Sequence, residues 1–138
     1  MISKDLLTYY RSKADILTVL GSSNVFLHKA PSSAVMPWII IEIPNPGKRN
    51  RLTVKFINPK TIMHIHADAE DQFDSMAIAE TVLNYTDFYR GDMYDSKDLY
   101  LRCSIIYTMD GFSGSTRSTF QVTAQEKAII IRPTPVVI

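Results

Sequence analysis

The stretch Pro37-Trp38-Ile39-Ile40-Ile41-Glu42-Ile43 decides how the rest of the chain is read. It is a nearly continuous apolar run that one charge, Glu42, interrupts. Consecutive isoleucines favour a strand, where β-branched side chains pack well on the pleat. Apolar residues on both parities mark a strand covered on both faces. Pro37 stands at the start, where a missing N–H costs no ladder bond. The fold is therefore expected to grow around an interior strand, with the flanking segments supplying its partners.

Downstream, residues 51–57 alternate, with Leu52, Val54 and Phe56 on one face and Thr53, Lys55 and Ile57 on the other. Asn58-Pro59-Lys60 reads as a tight turn and residues 61–67 as the returning strand of a hairpin. Asp68, Glu70 and Asp71 crowd the expected start of a helix, where the macrodipole favours negative charge. That helix is expected to run from about Asp68 to Tyr85, with Phe73, Met76, Ala77 and Leu83 as its apolar stripe and Glu80 interrupting it. Residues 86–96 read as a polar loop. Residues 97–108 read as one strand, and residues 116–125 as its partner across a turn containing Gly111 and Gly114.

Upstream, Ser3 is the expected N-cap of a single helix carrying Leu6, Tyr10, Ala14 and Leu17 on one stripe, widened by Leu7 and Leu20. Gly21 is its expected left-handed stop, and residues 25–28 form a brief strand. The element order implies an α+β fold: a mostly antiparallel β-sheet with two α-helices packed on one face. Residues 1–127 read as a single domain. Residues 128–138, AIIIRPTPVVI, read as an extended segment, since Pro133 and Pro135 disfavour helix. Left exposed, such an apolar run invites association, so it is expected to be a strand or an arm between subunits.

Composition narrows the function. The 138 residues are 46% hydrophobic and 21% charged, with a net charge of +1. That balance argues against a dedicated nucleic-acid binder, which carries a strong basic excess. A lone cysteine, Cys103, excludes an intramolecular disulfide framework. No apolar run approaches the roughly 20 residues that span a bilayer, and the polar N-terminus lacks a signal-peptide core. The charge is unevenly placed: residues 1–67 hold nine Lys/Arg and three Asp/Glu, whereas residues 68–98 hold two and nine. Opposed blocks in a near-neutral chain suit complementary contacts between copies.

Chemical signatures are sparse. The five glycines form no dinucleotide or phosphate-loop spacing, and neither a GxSxG elbow nor an HExxH helix occurs. Cys103 reads as a structural thiol inside a strand. His64 and His66, two apart on a strand, share one face, and Asp68 continues that parity if the strand runs on. Such a pair with a carboxylate has the chemistry of a zinc or iron site, whose third and fourth ligands would have to come from His28 or from Asp or Glu elsewhere; the expected role is a half-solvated strand face or a subunit contact, with no metal and no cofactor. Lys48, Arg49 and Arg51 form the dense basic cluster, in a loop rich in proline and glycine, suited to phosphate contact without sequence readout.

Several patterns together carry a resemblance. They are the opening helix ending in Gly21, the short strand after it, the polar loop with Pro31, and the Pro37-Trp38-Ile39-Ile40-Ile41-Glu42 strand. A helix around Asp71-Gln72-Phe73-Asp74 then follows, with two final strands near Leu101-Arg102 and Ser118-Thr119-Phe120-Gln121-Val122. Over residues 3–125 the chain resembles the tail-completion or tail-terminator proteins of long-tailed bacteriophages and prophages. The resemblance implies a structural virion protein without catalysis, located at the head-proximal end of the tail. It implies a homo-oligomeric ring, usually a hexamer, that stops growth of the tail tube and joins it to the head. The partners implied are the tail tube protein, the head–tail connector protein and DNA passing through the lumen, with no membrane. On this reading Lys48, Arg49 and Arg51 face the lumen or a neighbouring ring. Glu70, Asp71, Asp74, Ile129, Ile130 and Ile131 lie at subunit contacts. Two other classes remain: another head–tail connector or minor tail protein, and a cellular metal- or ligand-binding domain using His64 and His66.

Overall fold

The computed structural model describes residues 2–44, 60–111 and 114–126. The expected strand at 51–57, the basic loop of Lys48, Arg49 and Arg51, and the segment 128–138 with Ile129, Ile130 and Ile131 lie outside the described residues. Helices α1 (Ile2–Arg11) and α2 (Ala14–Leu20) open the chain, followed by strands β1 (Val25–Leu27), β2 (Trp38–Glu42) and β3 (Lys60–Ala69). Helix α3 (Gln72–Thr86) and strands β4 (Arg90–Met93), β5 (Ser96–Cys103), β6 (Tyr107–Asp110) and β7 (Thr116–Gln125) complete it. Among the described residues the strands form one seven-stranded sheet in the order β1-β2-β3-β7-β5-β4, with β6 also paired to β7. The fold is α+β as expected. The sheet is mixed, because β1 and β2 run parallel while the other pairs are antiparallel.

β2 lies inside the sheet, with Ile39, Ile40 and Ile41 all buried. β3 and β7 pair along ten residues each, from Lys60↔Gln125 to Ala69↔Thr116. Their inner faces carry Met63, Ile65 and Ala67 against Phe120, Val122 and Ala124, all buried. The core also takes Leu6, Tyr10, Ile16, Ile78, Val82, Leu99 and Leu101 from the helices and β5. Each such large side chain, fully removed from water, stabilises the fold by about 1.5–3 kcal/mol.

Several expectations are corrected in detail. The opening helix is two helices. The chain breaks at Ser12 and Lys13, where Lys13 is extended (φ −95°, ψ 117°), and α2 ends at Gly21 in the left-handed region (φ 70°). The break resets the helical phase, so Ile16 is buried in place of Ala14 and Leu17, while Leu20 is buried as expected. Ser3 lies inside α1 and is no cap.

The third helix begins later than expected, because β3 runs on through Asp68 to Ala69. Asp71 is its N-cap, accepting from the Phe73 backbone N–H at 3.0 Å. Its buried stripe is Ser75, Ile78, Ala79, Val82 and Thr86, while Phe73 is 79% exposed. The two polar members of that stripe are satisfied where they are buried. Ser75 Oγ donates to the Ala67 carbonyl at 2.8 Å and lies 2.8 Å from Ser118 Oγ. Thr86 Oγ1 donates to the Val82 carbonyl and bonds the Tyr10 hydroxyl at 2.6 Å. Small residues at 67, 75, 79 and 118 let α3 lie close on the sheet.

The loop expected at 86–96 contains β4, and the long strand expected at 97–108 is divided into β5 and β6. Both pair with the same edge of β7, β5 at residues 122–125 and β6 at residues 116–119.

Candidate functional site

The helices cover the inner face of the sheet. On the outer face the register assembles three rows across β2, β3 and β7. They are Trp38–Asp68–Arg117, Ile40–His66–Thr119 and Glu42–His64–Gln121. Directly opposed residues project to the same side, and residues two apart repeat it. Segments far apart in sequence thus place a carboxylate and two imidazoles side by side.

The first row is an ion pair held in place by an indole. Arg117 donates to the Asp68 carboxylate through Nε at 2.7 Å and Nη2 at 2.8 Å, and Trp38 Nε1 donates to the same group at 2.8 Å. Asp68 is buried, and its hydrogen bond raises the pKa of Arg117 further. Bidentate, charge-assisted bonds of this kind are the strong ones. Next to this row, residues 28–37 cross from β1 to β2 and wall a cleft of about 450 Å³ lined by Ala30, Pro31, Met36 and Trp38.

The second and third rows form the chemically distinctive cluster. His66 is only 7% exposed. Its Nδ1 shares a 2.8 Å hydrogen bond with Thr119 Oγ1. Its Nε2 is buried without a hydrogen-bond partner among the described residues, 3.7 Å from Glu42 Oε1 and so beyond hydrogen-bond range. His64 Nδ1 lies 4.0 Å from the same oxygen. Burial chiefly, and then the Arg117 charge, lower the pKa of His66 against the opposing pull of Glu42 and Asp68. Burial therefore favours the neutral form of the ring. The side chains of Glu42 and His64 are 44% and 30% exposed, so the cluster opens toward solvent on one side.

The expected shared face of His64 and His66 is present. Asp68 shares it, but Trp38 and Arg117 engage its carboxylate, and Glu42 takes the place beside the imidazoles. Glu42, Thr119 and Arg117 escape sequence reasoning because the register that joins them is long-range. The one local signal is Glu42, the lone charge of an apolar strand.

Glu70, Asp71 and Asp74 come together, exposed, at the junction of β3 and α3. Of the remaining exposed acids of that charge block, Glu80 lies on α3, and Asp92, Asp95 and Asp98 lie around the β4–β5 hairpin beyond the other end of α3. The block is therefore spread along α3 and is densest at its two ends. The outer face at the far end of β3 carries the exposed cations Lys60, Arg90 and Arg102. Lys60 and Arg90 share one row through Gln125 and Tyr100, and Arg102 also pairs with Asp87 at 3.8 Å.

Cys103 is not an activated nucleophile. Burial, and secondarily Asp87, push its thiol up to about 12, so it stays protonated at neutral pH. The Thr119 hydroxyl beside His66 is 1% exposed and has no access to a substrate.

No family model matches the chain, and no curated protein matches it. Among solved structures, the chain is similar to one chain of the "Virion of native gene transfer agent (GTA) particle". The TM-score is 0.65 at 10% sequence identity, over 87% of this chain and 90% of that chain. At this identity the likeness establishes a shared fold over nearly the whole of both chains.

Proposed function

We propose that this chain is a structural virion protein that closes the head-proximal end of a phage-type tail tube as a ring and presents the surface that joins the head. The observation that carries this reading is the fold shared with a chain of a gene transfer agent virion across almost the full length of both. The charge layout supports it. An acidic corner of Glu70, Asp71 and Asp74 lies past one end of β3, and Lys60, Arg90 and Arg102 occupy the outer face toward the other. Over ten strand residues that separation is about 33 Å. Two different, complementary patches suit the head-to-tail contact that closes a ring. Phe73, beside the acidic corner, adds an exposed apolar group to it.

In this reading the subunits associate through Glu70, Asp71, Asp74 and the C-terminal residues Ile129, Ile130 and Ile131. Lys48, Arg49 and Arg51 face the DNA-conducting lumen or an adjoining ring. The partners are further copies of the chain, the tail tube protein and the head–tail connector, and no step requires catalysis.

The test is negative-stain imaging of the concentrated, tag-free protein, with its solution mass measured on the same sample and with purified tail tubes added. Rings of about six subunits, or caps on one end of the tubes, are the expected result. A protein that stays monomeric and leaves tube ends bare overturns the reading.

A further inference from the structure

We infer that Glu42, His64 and His66 form a binding site for a divalent first-row transition ion of the zinc type, on the outer face of the sheet. The three ligand atoms lie within 4.8 Å of one another. Two come from alternate residues of β3 and the third from Glu42, the direct register partner of His64 on β2. For metal–ligand bonds of about 2.0–2.1 Å in tetrahedral geometry, neighbouring ligand atoms stand about 3.3 Å apart. Glu42 Oε1 is 3.7 Å from His66 Nε2 and 4.0 Å from His64 Nδ1. Small rotations of the two partly exposed side chains close the difference.

The buried member is already placed. His66 is more than nine-tenths buried, and its Nε2 faces the cluster with no hydrogen-bond partner among the described residues. A buried nitrogen left unsatisfied calls for an explanation, and a metal ion supplies one. Its Nδ1 is bonded to Thr119 Oγ1 at 2.8 Å. With Nδ1–H donating to that oxygen, the lone pair sits on Nε2, as a metal requires. A hydrogen bond behind a ligating histidine is the usual way its tautomer and ring plane are set.

The local charge also suits a cation. Among the described residues, the nearby positive group is Arg117, which Asp68 engages in the adjacent row, and this leaves Glu42 to balance the ion. Two imidazoles and one carboxylate select zinc, iron(II), cobalt(II) or nickel(II) over magnesium and calcium, which take oxygen ligands. The remaining position opens to water at the exposed edge of the cluster.

The test is isothermal titration of metal-free, tag-free full-length protein with zinc chloride, together with absorption spectra after adding cobalt(II). The expected result is one zinc ion per chain and visible cobalt absorption at the intensity of four- or five-coordinate nitrogen–oxygen ligation. His64→Ala and Glu42→Gln change partly exposed side chains and should each weaken zinc binding by at least about 100-fold. That exceeds the 10–100-fold lost with a partner behind a ligand. Exposed His28, in the loop after β1, is the control: His28→Ala should leave binding unchanged. Absence of stoichiometric binding overturns the inference, as does binding that survives both ligand substitutions or follows His28. The readout is metal occupancy, so its outcome is independent of ring formation.

Discussion

Arg117 and Asp68 sit directly opposite each other on β7 and β3, and the guanidinium holds the buried carboxylate through two bonds of 2.7 and 2.8 Å. With Trp38 donating to the same carboxylate from β2, the three central strands are tied across their outer face. Removing one partner strands a charge where it is poorly hydrated. Arg117→Ala, which strands the buried Asp68 carboxylate, should therefore cost about 3 kcal/mol, and Asp68→Ala somewhat less, because the arginine it leaves behind is partly exposed. Urea unfolding of each variant, monitored by circular dichroism, measures this. Midpoints matching the parent protein would show that the pair contributes nothing.

Helix α3 docks through polar contacts as well as apolar ones. Ser75→Ala removes the donor to the Ala67 carbonyl and the neighbour of Ser118 Oγ, and should cost about 1–2 kcal/mol. Ser75→Leu should cost more, since the site has no room and overpacking adds about 1–3 kcal/mol. Tyr10→Phe, which leaves Thr86 with its helical partner Val82, should cost about 1 kcal/mol. A ranking by thermal unfolding that places Tyr10→Phe above Ser75→Leu in severity would contradict this packing.

The Cys103 thiol, pushed up to about 12 from an ordinary 9.0, should react slowly with iodoacetamide. At pH 8 its thiolate fraction is about 1,000-fold below that of an unperturbed thiol. The folded state favours the protonated thiol. Its contribution to stability is therefore complete below pH 9 and lost progressively as pH rises toward 12. Mass-spectrometric labelling rates in native and urea-unfolded protein compare the two states. Equal rates would refute the shielding.

Association between copies should depend on the opposed charges. Glu70→Lys with Asp74→Lys, leaving the cap Asp71 intact, should weaken self-association at least about tenfold. The stability of the subunit should change by no more than about 0.5 kcal/mol, as for exposed surface sites. Adding Lys60→Glu and Arg90→Glu should recover part of the loss, and salt at about 0.5 M should weaken the parent association. Sedimentation velocity across this series gives the answer, and an unchanged association constant in the first variant would remove the acidic corner from the interface.

Local chemistry alone determined much of this protein. The isoleucine run at 39–41 became an interior strand. Residues 116–125 alternated as expected, Gly21 closed a helix in the left-handed region, and the acids near 70 marked a helix start. These depend on neighbours within a few residues, through periodicity, capping and backbone freedom. What the tertiary structure decided depends on partners that local patterns do not contain. α3 buries Ser75 and Thr86 and exposes Phe73, because hydrogen-bond partners on β7 and α1 make small polar residues acceptable where a large ring cannot fit. The first helix divides at Lys13, and the pairing of β7 with both β5 and β6 divides what reads as one strand. Above all, the register of β2, β3 and β7 joins Glu42 to His64 and His66 and gives Asp68 to Arg117. A strand's alternation says which residues share its face, but only pairing with distant strands says what stands beside them.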